Sequence, residues 1–466
     1  MVFSSNLFLF VFLPIFLLSY FVTPWRFKSA LILLFSYGFY AWWRPDFLML
    51  LVSVSVGSYL LALAIDRQQN DTDRYRILWI GVALNLCTLG YFKYANFGIN
   101  SLNVALSGIG ITAVSWTPVL LPIGLSFYIF HAISYLVDIY RKEAPPAKNL
   151  IDFSAFIALY PHLVAGPVLR YHLLAEQFRS RIHSFENFAR GCQVFMLGFC
   201  QKVLIADSVA PLADAVFAAP FPTMADAWLG TLAYTIQLFF DFSGYSTMAI
   251  GLALMIGFKF PENFNDPYTS TSITEFWQRW HMSLSSWLRE YLYVPLGGNR
   301  KGTVRTYINL FLTMLLGGLW HGANWTFLIW GAWHGGVLAI ERFWKSKYGT
   351  LPFPRWVLIA KTMILVMIGW IFFRAHSVTE AMKMFKAIAG FGASGESGAW
   401  FSNAVAWQVT SDRLIVLGLG IVLVYLLPTI KRYAHTPLRF ATLPLFIWAV
   451  ATLSAQSFTP FLYFQF

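Results

Sequence analysis

Residues 227–258, AWLGTLAYTIQLFFDFSGYSTMAIGLALMIGF, form an apolar run that contains a single charged residue, Asp241. A lipid hydrocarbon core about 30 Å thick requires about 20 predominantly apolar residues to be crossed by one helix. An irregular segment facing lipid would leave its backbone polar groups without partners, whereas a helix satisfies them internally. This stretch therefore predicts a membrane-spanning α-helix.

The composition of the whole chain extends this prediction. Of its 466 residues, 58% are hydrophobic and 12% are charged, against about 25% charged residues in a typical soluble protein. The 45 Phe, 22 Tyr and 19 Trp residues exceed what a buried core can hide from water. A soluble enzyme, a disordered chain and a nucleic-acid binder are therefore excluded, despite the net charge of +12. The three cysteines predict no disulfide framework and no metal site.

Further apolar segments are separated by loops whose Lys and Arg content alternates. They predict an all-α, polytopic integral membrane protein with about 11–13 crossings. The positive-inside rule places 141–148 and 259–306 in the cytoplasm and both termini outside. The first segment, 2–22, lacks the cationic start and small-residue cleavage site of a signal peptide, so we expect it to remain as a helix. The predicted crossings are 2–22, 28–43, 46–65, 77–97, 118–138, 191–206, 227–258, 307–320, 324–343, 356–373, 412–429 and 440–456.

The segment 150–169, LIDFSAFIALYPHLVAGPVL, is apolar but is predicted to enter and leave on the cytoplasmic side. Pro161, Gly166 and Pro167 interrupt a helix there, and the basic residues after Arg170 favour the cytoplasm. Such irregular backbone is tolerated at membrane depth only where it is buried in protein or lines a cavity. Since no internal repeat is visible, we interpret residues 1–466 as one membrane domain with re-entrant and interfacial helices.

His321 lies in the motif LWHGAN at 319–324, between glycines that allow helices to approach closely. The helix before it is predicted to run from about 307 to 319, which covers only about 20 Å of the core. His321 is therefore expected inside the membrane. A neutral imidazole is a good general base near neutral pH. The alternative is a histidine that only hydrogen-bonds a neighbouring helix.

A second histidine, His281, recurs with Trp277, Leu284 and Leu288 at the spacing of one helical face. This pattern predicts an amphipathic helix at the cytoplasmic interface that directs one imidazole inward. An interfacial anchor with aromatic residues explains the same pattern, apart from His281.

Other polar residues at membrane depth are candidates for supporting roles. Asp241 must be paired, hydrogen-bonded or protonated; it either orients a histidine or satisfies buried amides and hydroxyls, and we favour the structural role. His334 is the main rival of His321, and Asn324 follows His321 in the same motif. The spacing of the histidines and acids predicts no metal site, and no nucleotide-binding loop is present. The remaining buried candidates are His131 and His162.

Long stretches of the chain resemble one family, the membrane-bound O-acyltransferases, and within it the bacterial branch that serves polysaccharides such as alginate and teichoic acids. The resemblance covers nearly the entire chain. The matching stretches are GYFKYANF at 90–97, LLPIGLSFYIF at 120–130, YPHLVAGPVLR at 160–170, QLFFDFSGYSTMAIG at 237–251, NFNDPYTSTSITEFWQRWHMSLSSWLREYLYVPLGGNR at 263–300, LGGLWHGANWTFLIWGAWHG at 316–335 and SAQSFTPFLYFQF at 454–466.

The resemblance implies a central funnel and a catalytic core at roughly 118–345. His321 corresponds to the family's catalytic histidine and His281 to its second motif histidine. The aromatic motif at 457–466 resembles one in which a tyrosine is the transient acyl acceptor, which would be Tyr463. The family pattern has Glu or Gln where this chain has His131, which puts a role for that position in doubt.

The implied activity is the transfer of an acetyl group from cytoplasmic acetyl-CoA across the bacterial inner membrane. A periplasmic, hydrolase-like O-acetyltransferase would then place it on an exported polysaccharide. The polymer would be alginate, cellulose or another exopolysaccharide; acylation of a lipid or a protein would use the same chemistry. The competing class is a non-catalytic acetyl or polysaccharide transporter, which predicts an internal repeat or charges spread over several spans.

Overall fold

Helices account for all regular secondary structure in the computed structural model, which describes residues 2–392, 400–432 and 438–455. In chain order they begin with α1 (Leu13–Val22), α2 (Lys28–Ala41), α3 (Asp46–Arg67), α4 (Asp71–Leu89), α5 (Ala95–Gly108), α6 (Leu125–Arg141), α7 (Leu150–Ala158), α8 (Tyr160–Leu163), α9 (Tyr171–Arg179), α10 (Phe185–Cys200) and α11 (Asp207–Ala218). They continue with α12 (Met224–Met255), α13 (Ile273–Arg279), α14 (Met282–Leu288), α15 (Thr303–His321), α16 (Trp325–Tyr348), α17 (Arg355–Arg374), α18 (Val378–Lys386), α19 (Asn403–Ala406), α20 (Ser411–Arg432) and α21 (Leu438–Ala455). The predicted all-α fold class is confirmed.

Five helical segments among the described residues are long and apolar enough to cross a membrane by length and composition. Turns of π-helix join α4 to α5 and α10 to α11, which lengthens two of these segments. The prediction of a polytopic membrane protein is confirmed, whereas the count of about 11–13 crossings stays a prediction. The five segments are Asp46–Arg67, Asp71–Gly108, Phe185–Ala218, Met224–Met255 and Arg355–Arg374.

The chain divides into two compact units. The N-terminal unit comprises Met1–Cys192 with Ala249–Phe260, and the C-terminal unit comprises Gln193–Met248 with Pro261–Phe466. Helices α10 and α12 each contribute to both units. The interpretation of residues 1–466 as one membrane domain stays a prediction.

In the N-terminal unit, aromatic side chains of the first helical segment pack around Tyr160. The ring centroid of Tyr160 lies 5.3 Å from that of Phe12 and 5.1 Å from that of Phe16. Tyr160 is fully buried. Aromatic rings of this size contribute large apolar areas and favour such edge-to-face contacts. The segment predicted to remain as a helix is helical from Phe8 to Val22.

The predicted interruption within 150–169 is confirmed. Helix α7 ends at Ala158, Leu159 leaves the helical conformation, and the single turn of α8 follows with Pro161 in its first turn. Proline is well tolerated at that position because the first backbone N–H groups of a helix have no intrahelical partners. Residues 150–169 therefore contain no continuous helix that could cross the bilayer.

Candidate active site

Helices α15 and α16 of the C-terminal unit form a tight hairpin. His321 is the last residue of α15. A Cβ atom added to Gly318 would lie 2.3 Å from the backbone oxygen of Phe327, and one on Gly331 would lie 2.5 Å from the oxygen of Met314. Two helices can approach this closely only where side chains are absent. The close approach that the glycine-rich motif predicted is confirmed at Gly318.

The predicted position of His321 in the membrane depended on a helix at about 307–319, and the observed helix α15 is longer. Helix α15 begins at Thr303 and has 19 residues, which gives a length of about 28 Å, comparable with the hydrocarbon core of about 30 Å. Because α15 ends at His321 itself, the prediction that the helix ends before His321 is wrong. What the structure shows instead is burial, since His321 is 5% exposed.

Aromatic rings surround the imidazole of His321. Its ring centroid lies 5.0 Å from Trp320, 5.1 Å from Trp330 and 5.2 Å from Phe373. The ring of His281 lies 6.4 Å away. The C-terminal unit thus brings together the two histidines that the motifs singled out.

His281 lies at a break between two helices, and the prediction of one continuous amphipathic helix is wrong. Helix α13 ends at Arg279 and α14 begins at Met282. His281 has a φ of 43°, in the left-handed region that a residue with a Cβ adopts only when its surroundings hold it there. The sequence pattern could not reveal this, because the helical spacing of apolar residues continues across the two-residue break at Trp280 and His281.

Asn263 holds the imidazole of His281 in one tautomer. The Oδ1 atom of Asn263 accepts hydrogen bonds from the backbone N–H and the hydroxyl of Ser283 at 3.2 and 2.8 Å, and lies 3.1 Å from Nδ1 of His281. Because a backbone N–H can only donate, the acceptor oxygen of the amide faces His281, and Nδ1 of the imidazole must be the donor.

The opposite nitrogen of His281 is a proton acceptor. Nε2 is buried and has no hydrogen-bond partner in the part of the chain that the structure describes. Burial lowers the pKa of His281 to about 3, so the ring is neutral at any physiological pH. The arrangement of Asn263, His281 and an unpaired Nε2 presents a lone pair inside the protein. Asn263 was not singled out by the sequence, although it lies in the matching motif that begins at 263.

His321 lines a cavity of about 650 Å³ within the C-terminal unit. Trp330, Leu338 and Arg342 line it along α16, so the cavity extends about 18 Å along this helix. Arg289 also lines it. Both arginines are exposed, whereas His321 is buried, and neither forms an ion pair with a carboxylate of the described chain. The cavity thus joins an accessible cationic region to the buried imidazole.

Asp241 belongs to a buried ion-pair group and does not line this cavity. The Nζ atom of Lys202 contacts a carboxylate oxygen of Asp207 and lies 3.2 Å from Oδ1 of Asp241. All three side chains are almost completely buried. This geometry supports the structural role that the sequence favoured for Asp241, and the unpredicted partner is Lys202.

The structure gives Asn324 and His334 packing contacts. Asn324 caps α16, with Oδ1 accepting from the backbone N–H of Thr326 and the amide donating to the backbone oxygen of His376. His334 is fully buried and its Nδ1 accepts from the indole N–H of Trp277 at 3.3 Å. Neither side chain lines the cavity; the ring of His334 packs at 5.0 Å against that of Trp330, which does, and Asn324 caps the helix that carries Trp330.

The remaining candidates lie elsewhere. In the N-terminal unit, the rings of His131 and His162 pack against each other at 4.5 Å. Tyr463 and the rest of 457–466 lie outside the described residues.

One further group of side chains has potential metal-ligand spacing, which the sequence did not predict. In the N-terminal unit, Asp138, Glu143 and His172 bring one ligand atom each within 4.8 Å of one another. Nδ1 of His172 lies 2.8 Å from the buried carboxylate of Asp138, so an Asp–His pair accounts for two of these three side chains.

Comparison with known proteins gives a consistent result. A sequence model of the membrane-bound O-acyltransferase family matches residues 140–379. The chain is 50% identical to the probable alginate O-acetylase AlgI of Azotobacter vinelandii, with both chains covered completely. It is 36% identical to the peptidoglycan O-acetyltransferase of Helicobacter pylori over 84% of this chain and 80% of that protein. The teichoic acid D-alanyltransferase of Bacillus subtilis is 30% identical over 52% of this chain and 65% of its own length.

Proposed function

Because the chain belongs to the membrane-bound O-acyltransferase family, we propose that it transfers an acetyl group from acetyl-CoA toward an exported polysaccharide, with alginate as the polymer. The full-length similarity to a probable alginate O-acetylase supports the acetyl group and this polymer. The observation that carries the proposal is the cavity that joins two exposed arginines to the buried His321.

The cavity suits a donor that carries phosphates at one end and a thioester at the other. Guanidinium groups bind phosphate oxygens through paired, charge-assisted hydrogen bonds. Arg289 and Arg342 have no protein counter-ion among the described residues and are therefore available for such contacts. A pantetheine arm extending along α16 would bring the thioester carbonyl to His321.

In the proposed reaction, His321 acts first as a base and then as an acid. The imidazole removes the proton from the acceptor hydroxyl, whose oxygen attacks the thioester carbonyl. The bond from the carbonyl carbon to sulfur breaks, and the imidazolium returns the proton to the leaving thiolate. His281 has its own proton on Nδ1 directed at Asn263, so it cannot protonate the thiolate through Nε2, and we assign it a positioning role beside the ring of His321.

The donor assignment predicts a specific effect at Arg342. Substitution Arg342→Gln should raise the KM for acetyl-CoA about tenfold, because one charge-assisted contact to a phosphate is lost, and should leave kcat nearly unchanged. The measurement is transfer of labelled acetyl groups by the protein reconstituted in vesicles, with Arg305→Gln as the control.

Arg305 is also exposed and basic but does not line the cavity, so its substitution should leave the KM unchanged. No labelled product from the reconstituted wild-type protein, with its partner acetyltransferase present, would contradict the proposed function. Equal KM values for the wild type and Arg342→Gln would contradict the phosphate contact alone.

We propose Tyr463 as the group that receives the acetyl before it leaves the protein. A phenol with a pKa near 10 is a weak nucleophile without a base, and His321 would supply that base. The acetyl group would then pass to a periplasmic O-acetyltransferase at the outer face of the inner membrane, where both termini are expected.

This acceptor can be identified by mass spectrometry. After incubation with acetyl-CoA, the C-terminal peptide of the wild type should carry one added acetyl group on Tyr463, and the peptide of Tyr463→Phe should carry none. Transfer to the polymer should fall together with this modification. A Tyr463→Phe variant with undiminished transfer would rule out a tyrosyl ester.

A further inference from the structure

Three basic side chains of the N-terminal unit converge on Tyr20. The Nζ atom of Lys28 donates to the backbone oxygen of Tyr20 and lies 4.1 Å from its ring centroid. Nε of Arg181 donates to the Tyr20 hydroxyl at 3.2 Å, and Nε2 of His183 lies 2.9 Å from the same oxygen. The hydroxyl itself donates to the backbone oxygen of Ile256 at 3.0 Å. Its only proton is therefore used, and Nε2 of His183 must donate to it.

No carboxylate of the described residues pairs directly with these basic side chains. Within the described chain, no carboxylate lies within ion-pair distance of Lys28, Arg181 or His183, although both Lys28 and Arg181 are only 8% exposed. Lysine and arginine are rarely buried to this degree without a partner charge. Desolvation, and next to it the neighbouring charges of Lys28 and Arg181, lower the pKa of His183. An anion at this position would relieve the repulsion.

Donor groups remain available at the cluster. Arg181 uses Nε for Tyr20 and Nη1 for the backbone oxygen of Gln177, which leaves Nη2 without an acceptor among the described residues. Lys28 uses one of its three ammonium protons for the Tyr20 oxygen. These free donors can bind the oxygens of a phosphate group.

An apolar cleft of about 390 Å³ lies beside His183. The side chain of Phe185 at its rim is 87% exposed, which is unfavourable in water but normal against lipid. The aromatic rings of Phe21 and Phe188 pack at 5.7 Å on its wall. Its apolar lining is formed by Phe21, Ile182, Phe185, Phe188, Leu254 and Met255.

Gly257, two residues after the end of α12, lies against the segment that joins the cleft to the cationic cluster. Gly257 adopts a φ of 84°, and a Cβ atom at this position would lie 3.1 Å from the backbone oxygen of Ile182 and 3.2 Å from Cβ of Arg181. Only glycine combines this backbone conformation with such a close contact at little cost. The segment that carries Arg181 and His183 is therefore seated against the helix end.

We propose that this cleft binds one anionic phospholipid, with the phosphate against Arg181, Lys28 and His183 and part of an acyl chain in the apolar cleft. The cluster is cationic and forms no direct ion pair with a carboxylate of the described chain, which favours an anionic headgroup over a zwitterionic one. The adjacent apolar cleft favours a lipid over a soluble phosphate. This inference is independent of the acetyl-transfer chemistry.

The test uses the full-length protein in detergent micelles, titrated with phosphatidylglycerol or phosphatidylcholine and followed by native mass spectrometry. Phosphatidylglycerol should bind at least about tenfold more tightly than phosphatidylcholine. Arg181→Gln should remove this preference, whereas Arg181→Lys should retain most of it. The matched control is Arg179→Gln, because Arg179 is exposed in the same segment and lies outside the cluster.

Two further variants keep the proposal testable if Arg181→Gln does not fold. His183→Gln can still donate to the Tyr20 hydroxyl but cannot become charged, so phosphatidylglycerol affinity should fall several-fold. Leu254→Trp fills the cleft without touching the cations and should weaken phosphatidylglycerol binding to a similar degree.

The proposal is overturned if the two lipids bind equally or if Arg179→Gln weakens binding as much as Arg181→Gln does. Unchanged binding to Leu254→Trp would contradict the acyl-chain contact. Displacement of phosphatidylglycerol by millimolar inorganic phosphate would show a site for a free anion and would also contradict it.

Discussion

Substitution His321→Ala is expected to reduce acetyl transfer by about 10²–10⁴-fold, the usual contribution of a positioned general base. The imidazole lines the cavity and packs against Trp320, Trp330 and Phe373, and none of these three side chains can accept a proton in its place. The measurement is the rate of labelled acetyl transfer by the purified protein in vesicles. The amount of monodisperse protein after size-exclusion chromatography must be equal for the variant and the wild type.

Two companion variants separate chemistry from packing. His321→Gln keeps a hydrogen-bonding side chain of similar size but cannot accept a proton at neutral pH, so it should be as inactive as His321→Ala. His376→Ala removes an exposed histidine and should retain full activity. If His321→Ala supports transfer at the wild-type rate, the assignment of His321 as the base fails.

The largest effect on stability is expected at Lys202. Substitution Lys202→Ala leaves Asp207 and Asp241 buried without their shared cation. Removing one partner of a buried ion pair typically costs about 3–5 kcal/mol, because the remaining charge stays desolvated. Thermal unfolding in detergent should therefore occur at a clearly lower temperature than for the wild type.

A control and a partial rescue accompany this variant. Lys361 pairs with Glu341 at 3.2 Å but is about one-third exposed, so Lys361→Ala should cost only about 0–1 kcal/mol. Adding Asp207→Asn to Lys202→Ala removes one of the two charges and should recover part of the lost stability. An unfolding temperature for Lys202→Ala no lower than that of Lys361→Ala would contradict the role of the buried group.

Much of the helical architecture could be predicted because apolar length is a local property. The predicted crossing at 46–65 corresponds to α3, 227–258 to α12 and 356–373 to α17, with ends that differ by a few residues. The interruption in 150–169 was also predictable, since proline and glycine act on the backbone where they occur. Hydrophobic pattern alone therefore gives the helices but not their contacts.

The site was predictable only in part, because its decisive contacts join residues distant in sequence. The motif glycines indicated the close approach around His321, and the structure confirms it at Gly318. In contrast, Asn263 acts on His281 and Lys202 on Asp241 across gaps that no local pattern spans. The break before α14 was missed because an α-helical spacing of apolar residues continues through it.

The left-handed backbone of His281 makes position 281 a site where substitution can raise the stability of the protein. A residue with a Cβ in that conformation costs about 1–2 kcal/mol, and the hydrogen bond to Asn263 helps to offset that cost. Selection for thermostability alone would favour glycine or asparagine at this position, at the expense of the buried imidazole. Position 281 is thus one where an engineered or consensus variant would gain stability by giving up the geometry of the site.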